Sequence, residues 1–229
     1  MVNAMKPEAQ FGSEEWADSV FSTPPVRNVN GRGRGTALYA PRYNGHSTYA
    51  EGGNEHFGTY ILEYLQLVGV VSRWKPQPFW WPTEVGSKTV PDFLVELEDQ
   101  VKVIIQVKAD RYLTPDVQHV FDVERDLSEK VGMRHIVWTD KAPLDGNARD
   151  LFLKIRMARN TETKPEHLER LVEFVRSRGH TSFADLVAAN HAPYLVPVAI
   201  RQGQLFVNLK EKLDERSVIS ASPITDGRG

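Results

Sequence analysis

The stretch TVPDFLVELEDQVKVIIQVK, residues Thr89–Lys108, contains two apolar segments that are separated by the polar turn LEDQ. The first segment, TVPDFLVEL (Thr89–Leu97), alternates between apolar and polar residues, whereas the second, VKVIIQVK (Val101–Lys108), is a nearly continuous apolar run. Alternation is typical of a half-buried β-strand, and a short apolar run is typical of a fully buried one. We therefore predict a β-hairpin here and take it as the centre of the fold.

The flanking segments predict the elements around this hairpin. Apolar residues recur at three- and four-residue intervals over Asn54–Leu67, which predicts an amphipathic helix, and the β-branched and aromatic run Val70–Trp81 predicts a strand. After the hairpin, a capped helix is predicted at Thr114–Val131 and a further strand at Met133–Asp140. The order helix, three strands, helix, strand predicts an α/β fold in which a mixed sheet is flanked by helices, with a right-handed crossover.

The remaining segments predict a division into three parts. Residues 1–50 are rich in Gly, Pro, Asn and Arg and have no sustained apolar period, so we expect an irregular basic arm. Residues 51–160 hold the predicted α/β domain, which a helix at about Ala148–Ala158 closes, and the segment NTETKP then forms a linker. Residues 161–229 form a small C-terminal domain.

Two helices and a hairpin are predicted in the C-terminal domain. The helices are expected at Glu166–Arg178 and Thr181–Ala189, and the segments YLVPVAI and QLFVNL are expected to pair across a Gln-Gly turn. This order is winged-helix-like, although a short helical module without DNA contacts fits it equally well.

Composition limits the chemistry that the chain can carry. The 229 residues include no cysteine, which excludes disulfides, thiolate nucleophiles and cysteine-bound metals, so any metal has oxygen or imidazole ligands. The formal net charge of -2 does not indicate a nucleic-acid partner by itself. No segment approaches the roughly 18 apolar residues of a membrane span, and the N-terminal residues lack the apolar core of a signal peptide. We therefore expect a cytoplasmic protein.

One local basic tract lies in the N-terminal arm. Arg27, Arg32, Arg34 and Arg42 follow one another without an intervening acid. Such a tract suits DNA phosphates, and a solvated arm without a ligand is the alternative interpretation.

Polar residues interrupt the central hairpin near one end. Antiparallel pairing of its strands brings Asp92 close to Lys108, and Gln106 shares a face with Lys108 because side chains two residues apart point the same way. A second carboxylate is available from the preceding helix, either Glu55 in its first turn or Glu63 two turns later. Phosphodiester hydrolysis requires a hard cation held by oxygens and benefits from a lysine that orients the attacking water. The combination predicts a metal-dependent nuclease.

Several motifs together resemble a known family. They are Glu51-Gly-Gly-Asn-Glu55, Gln77-Pro78, PDFLV at Pro91–Val95, QVK at Gln106–Lys108 and VWTDK at Val137–Lys141. The pattern resembles the PD-(D/E)xK nucleases and, among them, the TnsA family of endonuclease subunits of heteromeric transposases, whose third motif is likewise Gln-x-Lys. The resemblance runs from about Arg42 to the end of the predicted nuclease domain. Over the C-terminal domain it is only an order of elements.

The resemblance implies a restriction-endonuclease-like core that cuts one DNA strand at each transposon end with Mg²⁺, for which Mn²⁺ substitutes. It implies metal carboxylates at Glu55 and Asp92, further ligands at Gln106 and the carbonyl of Val107, and a catalytic lysine at Lys108. The implied partners are double-stranded DNA, a DDE-type transposase subunit and an AAA+ ATPase regulator.

Three points stay open at the level of sequence. Glu63 is the rival helix acid, although its spacing to Gln77 suits the family pattern less well than that of Glu55. A free-standing restriction or repair nuclease is an alternative function, and so is a DNA-binding assembly protein whose nuclease fold has lost its metal site.

Because relatives of this fold commonly carry an acid at the position of Gln106, we expect Gln106→Glu to bind a divalent metal more tightly.

Overall fold

The computed structural model describes residues 10–26, 36–39, 48–81, 89–143, 145–158, 161–209 and 211–224. The chain divides into two compact units, one that ends at Asp140 and one that begins at Lys141. Within the described ranges, no helix has both the length and the apolar character needed to cross a membrane.

In its described residues, the first unit contains a mixed four-stranded sheet, a separate two-stranded sheet and three α-helices. Its elements, in chain order, are α1 (Glu14–Ser22), β1 (Thr36–Tyr39), β2 (Thr48–Glu51), α2 (Gly53–Leu67), β3 (Val71–Pro76), β4 (Phe93–Leu97), β5 (Lys102–Val107), α3 (Pro115–Lys130) and β6 (Arg134–Trp138). The strand order is β3-β4-β5-β6, with β4 antiparallel to both β3 and β5, and with β6 parallel to β5. The predicted α/β class, with a mixed sheet flanked by helices, is confirmed.

The two faces of this sheet pack against different helices. On one face, which we call the α3 face, Leu94 and Ile104 belong to a buried cluster with Val20 of α1, and Leu127 of α3 packs against the same cluster. On the other, the α2 face, helix α2 approaches closely at Gly58. A Cβ atom at Gly58 would lie 3.1 Å from a ring carbon of Phe93, so a larger residue at this helix position would require the Phe93 ring to shift.

The prediction of an irregular arm over residues 1–50 is wrong for Glu14–Ser22, which form α1. The Ser13 hydroxyl caps this helix by accepting a hydrogen bond from the Trp16 amide at 3.1 Å. The ring centroid of Trp16 lies 5.0 Å from that of Phe79, which ties α1 to the core. Strands β1 and β2 pair antiparallel within the same stretch. Arg27, Arg32, Arg34 and Arg42 lie outside the described residues.

The second unit is mainly helical. Its elements are α4 (Gly146–Met157), α5 (Pro165–Arg178), β7 (His180–Ser182), α6 (Phe183–Ala188), α7 (Leu195–Arg201) and β8 (Val218–Ser220). Helix α7 packs against α4 and α5, and β7 pairs antiparallel with β8. The predicted helices α4, α5 and α6 are present within a few residues of their expected bounds.

The predicted hairpin of YLVPVAI and QLFVNL does not form, because Leu195–Arg201 are helix α7. Five of its seven residues are buried: Leu195, Val196, Val198, Ala199 and Ile200. A short segment that is buried on all sides carries no period that could distinguish a helix from a strand. The partner of β7 is instead β8, near the end of the described chain.

The boundary between the units lies before α4, whereas the sequence-based boundary lies after it, between residues 160 and 161. The physical reason for the difference is the apolar side of α4. Its residues Leu151, Phe152 and Ile155 are buried, and α4 packs against α7 in the second unit.

Candidate functional site

The predicted catalytic and metal-binding residues lie at one end of the mixed sheet, where β4 begins and where β5 and β6 end. We call this the Asp92 end. Phe93 pairs with Ile105, so continuation of the register sets Asp92 beside Gln106. The Asp92 carboxylate accepts a hydrogen bond from the Val107 amide, with Oδ2 2.6 Å from the nitrogen. The carboxylate is therefore held against the end of β5, at the residue that precedes Lys108.

Lys108 is the first residue after β5. Its amide donates to the Trp138 carbonyl at 2.9 Å, which extends the parallel pairing of β5 and β6 by one residue. The side chain is half-buried, and in the described part of the chain its ammonium group has neither a hydrogen bond nor an ion pair. A lysine ammonium group thus follows the Val107 amide that holds Asp92, and no described carboxylate forms an ion pair with it.

Gln106 is buried and points into the α3 face. Its amide nitrogen donates to Oε2 of Glu124 at 2.9 Å. Glu124 lies on α3 and is 1% exposed; it also lies 3.2 Å from the Thr89 hydroxyl and 3.2 Å from Nε2 of His135. Four side chains therefore form a buried polar network behind the end of β5.

Sequence reasoning did not identify Glu124 or His135. A signal for Glu124 exists, because this acid interrupts an apolar stripe at helical spacing, formed by Phe121 and Leu127 on α3 and continued by Val131 just after its end. An acid within an apolar stripe must find a buried partner. Which partner it finds depends on the packing of α3 on the sheet, and the sequence pattern does not contain that information.

Gln77 lies on the other side of Asp92, immediately after β3. Its amide donates to the Asp92 carbonyl at 2.8 Å, and its backbone has a φ of 44°, in the left-handed region that non-glycine residues seldom adopt. The side chain is 3% exposed, and within the described ranges its buried Oε1 has no hydrogen-bond donor. In the sequence, Gln77 was identified only as part of the motifs that resemble a known family. In the structure, it is also a direct neighbour of Asp92.

Of the two helix acids, Glu55 lies at the Asp92 end. Gly58, one turn later, packs against Phe93 and Trp138, which are the first residue of β4 and the last of β6. Helix α2 then runs towards the opposite end of the sheet, where Gln66 donates to the Ser72 carbonyl at 2.9 Å. Glu63 is roughly 12 Å further along the helix than Glu55.

Glu55 and the amide of Gln106 approach the sheet from opposite faces, since α2 covers one face and the amide points into the other. The structure therefore brings together Asp92, Val107 and Lys108 directly. Glu55 is placed at the same end of the sheet.

The donor set suits a hard divalent cation. Carboxylate, amide and carbonyl oxygens are the ligands that Mg²⁺ takes, and Mg²⁺ also keeps several of its waters. No cluster of three Asp, Glu, His or Cys side chains with metal-binding geometry occurs among the residues that the structure describes. The ligand set predicted from the resemblance contains two carboxylates, and its other members are an amide and a backbone carbonyl.

No protein-family model matches this chain, and no curated protein matches it. The contacts at the Asp92 end are therefore the observations that support a function.

Proposed function

We propose that the chain is a Mg²⁺-dependent DNA endonuclease with a restriction-endonuclease-like core, and that it cuts one strand at transposon ends as a cytoplasmic subunit of a heteromeric transposase. One observation carries the proposal. The Asp92 carboxylate is fixed by the Val107 amide directly beside Lys108, whose ammonium group has no acid partner in the described part of the chain.

The topology around this observation supports the proposal. An antiparallel hairpin supplies the acid and the lysine from adjacent strands, and α3 then crosses to a parallel fourth strand. A restriction-endonuclease-like core has such a mixed sheet between helices. Function depends on the site more than on this architecture, since one fold hosts many activities.

Each residue has a chemical task in this proposal. Asp92 supplies a negative oxygen to the cation, and the Val107 amide keeps that carboxylate in a single orientation. When bound, Mg²⁺, or Mn²⁺ in its place, polarises the scissile phosphate and acidifies a water. Lys108 orients that water and offsets the negative charge that develops on the phosphate. Glu55, Gln106 and the Val107 carbonyl complete the proposed ligand set.

The partners belong to the proposal through the resemblance alone. They are double-stranded transposon-end DNA, a DDE-type transposase and an AAA+ ATPase regulator. The arginines Arg27, Arg32, Arg34 and Arg42 are proposed to contact DNA phosphates. The second unit, which begins at Lys141, is proposed to serve assembly or DNA binding.

Strand cleavage on transposon-end DNA tests the proposal. The chain is incubated with labelled DNA and Mg²⁺, alone and together with a DDE-type transposase and an AAA+ ATPase if the neighbouring genes are found to encode them. We expect nicking of one strand that requires the partners and the metal, and that is lost in Asp92→Asn. Efficient cleavage by the chain alone would favour a free-standing nuclease. Assembly with the partners without cleavage, together with no binding of Mn²⁺, would favour a non-catalytic DNA-binding protein.

A further inference from the structure

We infer that Glu124 is a positioning residue for the proposed metal site: it holds the amide of Gln106 in the orientation that leaves the amide oxygen to bind a cation. The same contact accounts for a glutamine, rather than an acid, at position 106. The inference rests on the proposed function, and it concerns a residue that touches neither the cation nor DNA.

The hydrogen bond between Gln106 and Glu124 determines which end of the amide is used. An ionised carboxylate only accepts hydrogen bonds, so Gln106 must present its nitrogen to Glu124, as the 2.9 Å contact shows. The oxygen of the same amide is then the atom that is not engaged by Glu124. For a metal ligand this choice is decisive, because the amide nitrogen does not bind Mg²⁺ and the oxygen does.

Glu124 is itself held in place. Its other oxygen, Oε1, accepts from the Thr89 hydroxyl at 3.2 Å, and His135 contacts Oε2 at 3.2 Å. The side chains of Glu124 and His135 are 1% and 0% exposed. A carboxylate so enclosed cannot rotate away from Gln106 without losing its other partners, so the orientation of the amide is fixed before any cation binds.

The contact also reverses the expectation for Gln106→Glu. From sequence alone, an added acid at this position should strengthen metal binding. In the structure, the new carboxylate would meet the carboxylate of Glu124 at the distance of the present hydrogen bond, with no proton donor between them. Relatives of this fold commonly carry a negative charge on the strand itself. In the inferred arrangement, the charge is instead on Glu124 of α3, which lies behind Gln106.

A charge exchange between the two positions tests the inference. Four forms of the full chain are compared: wild type, Glu124→Gln, Gln106→Glu, and the double variant with both changes. Glu129→Gln, an exposed position on the same helix, is the matched control. The measurements are the affinity for Mn²⁺ by calorimetry and the melting temperature of the metal-free protein.

In Glu124→Gln, the new amide can donate to the oxygen of Gln106 and turn the Gln106 nitrogen outwards. We expect its Mn²⁺ affinity to fall by about tenfold or more, which is the usual effect of a lost partner of a metal ligand. Gln106→Glu should have the lowest melting temperature. In the double variant, the new amide at position 124 donates to the new carboxylate at position 106, so the hydrogen bond is restored in the reverse direction. The melting temperature and the Mn²⁺ affinity should therefore both recover. The Glu129→Gln control should match the wild type.

Two results would overturn the inference. In one, Glu124→Gln binds Mn²⁺ as tightly as the wild type, in which case the proposed metal site stands and only the positioning role is wrong. In the other, the double variant is no better than Gln106→Glu in either measurement. A wild-type chain that binds no Mn²⁺ overturns the proposed function and the inference together. If Glu124→Gln alone fails to fold, recovery in the double variant still decides the question.

Discussion

The two ends of the mixed sheet differ in how their charged side chains are paired. At the end where β4 finishes, Glu96 accepts two hydrogen bonds of 2.9 Å from Arg73, and Arg73 also contacts Asp18 at 2.6 Å. At the Asp92 end, Asp92 accepts from a backbone amide, and the neighbouring Lys108 has no ion-pair partner in the described part of the chain. The first arrangement pairs its charges with one another, whereas the second holds a carboxylate with a backbone amide, beside a lysine that has no ion pair among the described residues.

The first of these ends, which we call the Glu96 end, is a structural ion-pair network. Hydrogen bonding of the Arg73 guanidinium to the Glu96 carboxylate is the main cause that raises the pKa of Arg73 above its usual value. Lys102 adds a second cation, 3.9 Å from Glu96 and 3.8 Å from Glu14. Paired charges of this kind contribute to stability when they are partly buried, and they leave little potential for a ligand. Under the proposed function, the charge that the described residues leave unpaired at the Asp92 end serves binding or catalysis, and the following variants test that proposal.

The largest expected effect is the loss of cleavage in Asp92→Asn. The amide oxygen of asparagine can still accept from the Val107 amide, so the local structure is retained while the negative charge is removed. We expect a fall of about 10³-fold in the rate of strand cleavage, which corresponds to about 4 kcal/mol of transition-state stabilisation. The rate is measured on transposon-end DNA with the partners present.

Asp18→Asn is the matched control at the Glu96 end, because it removes an exposed acid that contacts Arg73. It should leave the cleavage rate unchanged. Cleavage by Asp92→Asn at the wild-type rate would place the metal site elsewhere and break the comparison.

The second effect is expected for Lys108→Met. Its ammonium group has no partner to lose in the described part of the chain, so the melting temperature should stay close to that of the wild type. Cleavage should fall by about 10²-fold, because the group that is proposed to orient the water and to offset phosphate charge is absent. Mn²⁺ should bind at least as tightly as before, since a nearby positive charge is removed.

Lys102→Met, at the Glu96 end of the same strand, is the control for Lys108→Met. It should leave the cleavage rate as it is. A normal cleavage rate in Lys108→Met, or a loss of rate in Lys102→Met, would contradict the assignment of the two ends.

Glu96→Gln is expected to have a smaller effect, and to lower stability without changing cleavage. This change takes the carboxylate from Arg73 and weakens the contact with Ser72, whose hydroxyl lies 3.3 Å from Oε1. We expect the free energy of unfolding, measured with urea, to fall by about 1–2 kcal/mol, a usual cost for hydrogen bonds to charged groups. Cleavage at a temperature where the variant is folded should be unchanged. A specific loss of cleavage without a loss of stability would show that the two ends do not have separate roles.

The last prediction concerns stability alone and a third kind of cation, one bonded to neutral oxygens. The Lys75 ammonium donates to the carbonyls of Val20 and Thr23, at the end of α1, and burial lowers its pKa to about 8 from the ordinary 10.5. Between these two values the unfolded chain binds more protons than the folded one, so the stability rises with pH across this window. The contribution is present above the unfolded pKa and is lost as the pH falls through about 8.

Urea unfolding at a series of pH values checks this slope. The wild type should gain stability relative to Lys75→Met between the two pKa values of Lys75. Parallel curves for the two proteins would show that the ammonium group is not buried as described.

Much of the fold could be predicted because local signals agree with it. The apolar pattern of Thr89–Lys108 predicts β4 and β5, and Thr114 caps α3 by accepting from the Val117 amide at 3.4 Å. Helix α1 was missed although Ser13 and the acids that follow it are a usual helix start, because the surrounding residues are rich in Gly and Pro. Helix α7 was missed because burial on all sides removes the periodic pattern.

The candidate site could be predicted only as far as it is local in sequence. Asp92 and Lys108 are joined by one tight hairpin, so strand pairing alone brings them near each other. The partner of Gln106, by contrast, is not determined by local sequence. Glu124 follows it by 18 residues and reaches it only because α3 folds back onto the sheet. A buried glutamine signals that a partner exists, but its identity is a property of the tertiary packing.

Paramagnetic broadening by Mn²⁺ in the amide NMR spectrum of the full chain tests the central claim most directly, because it reports which end of the sheet binds the cation. The Val107 and Lys108 amides should broaden at the lowest Mn²⁺ concentrations, Ser72 and Leu97 at the Glu96 end should stay sharp, and Asp92→Asn should abolish the effect. Broadening that begins around Glu96 and Glu14, or an unchanged Val107 amide at millimolar Mn²⁺, would contradict a metal site at the Asp92 end.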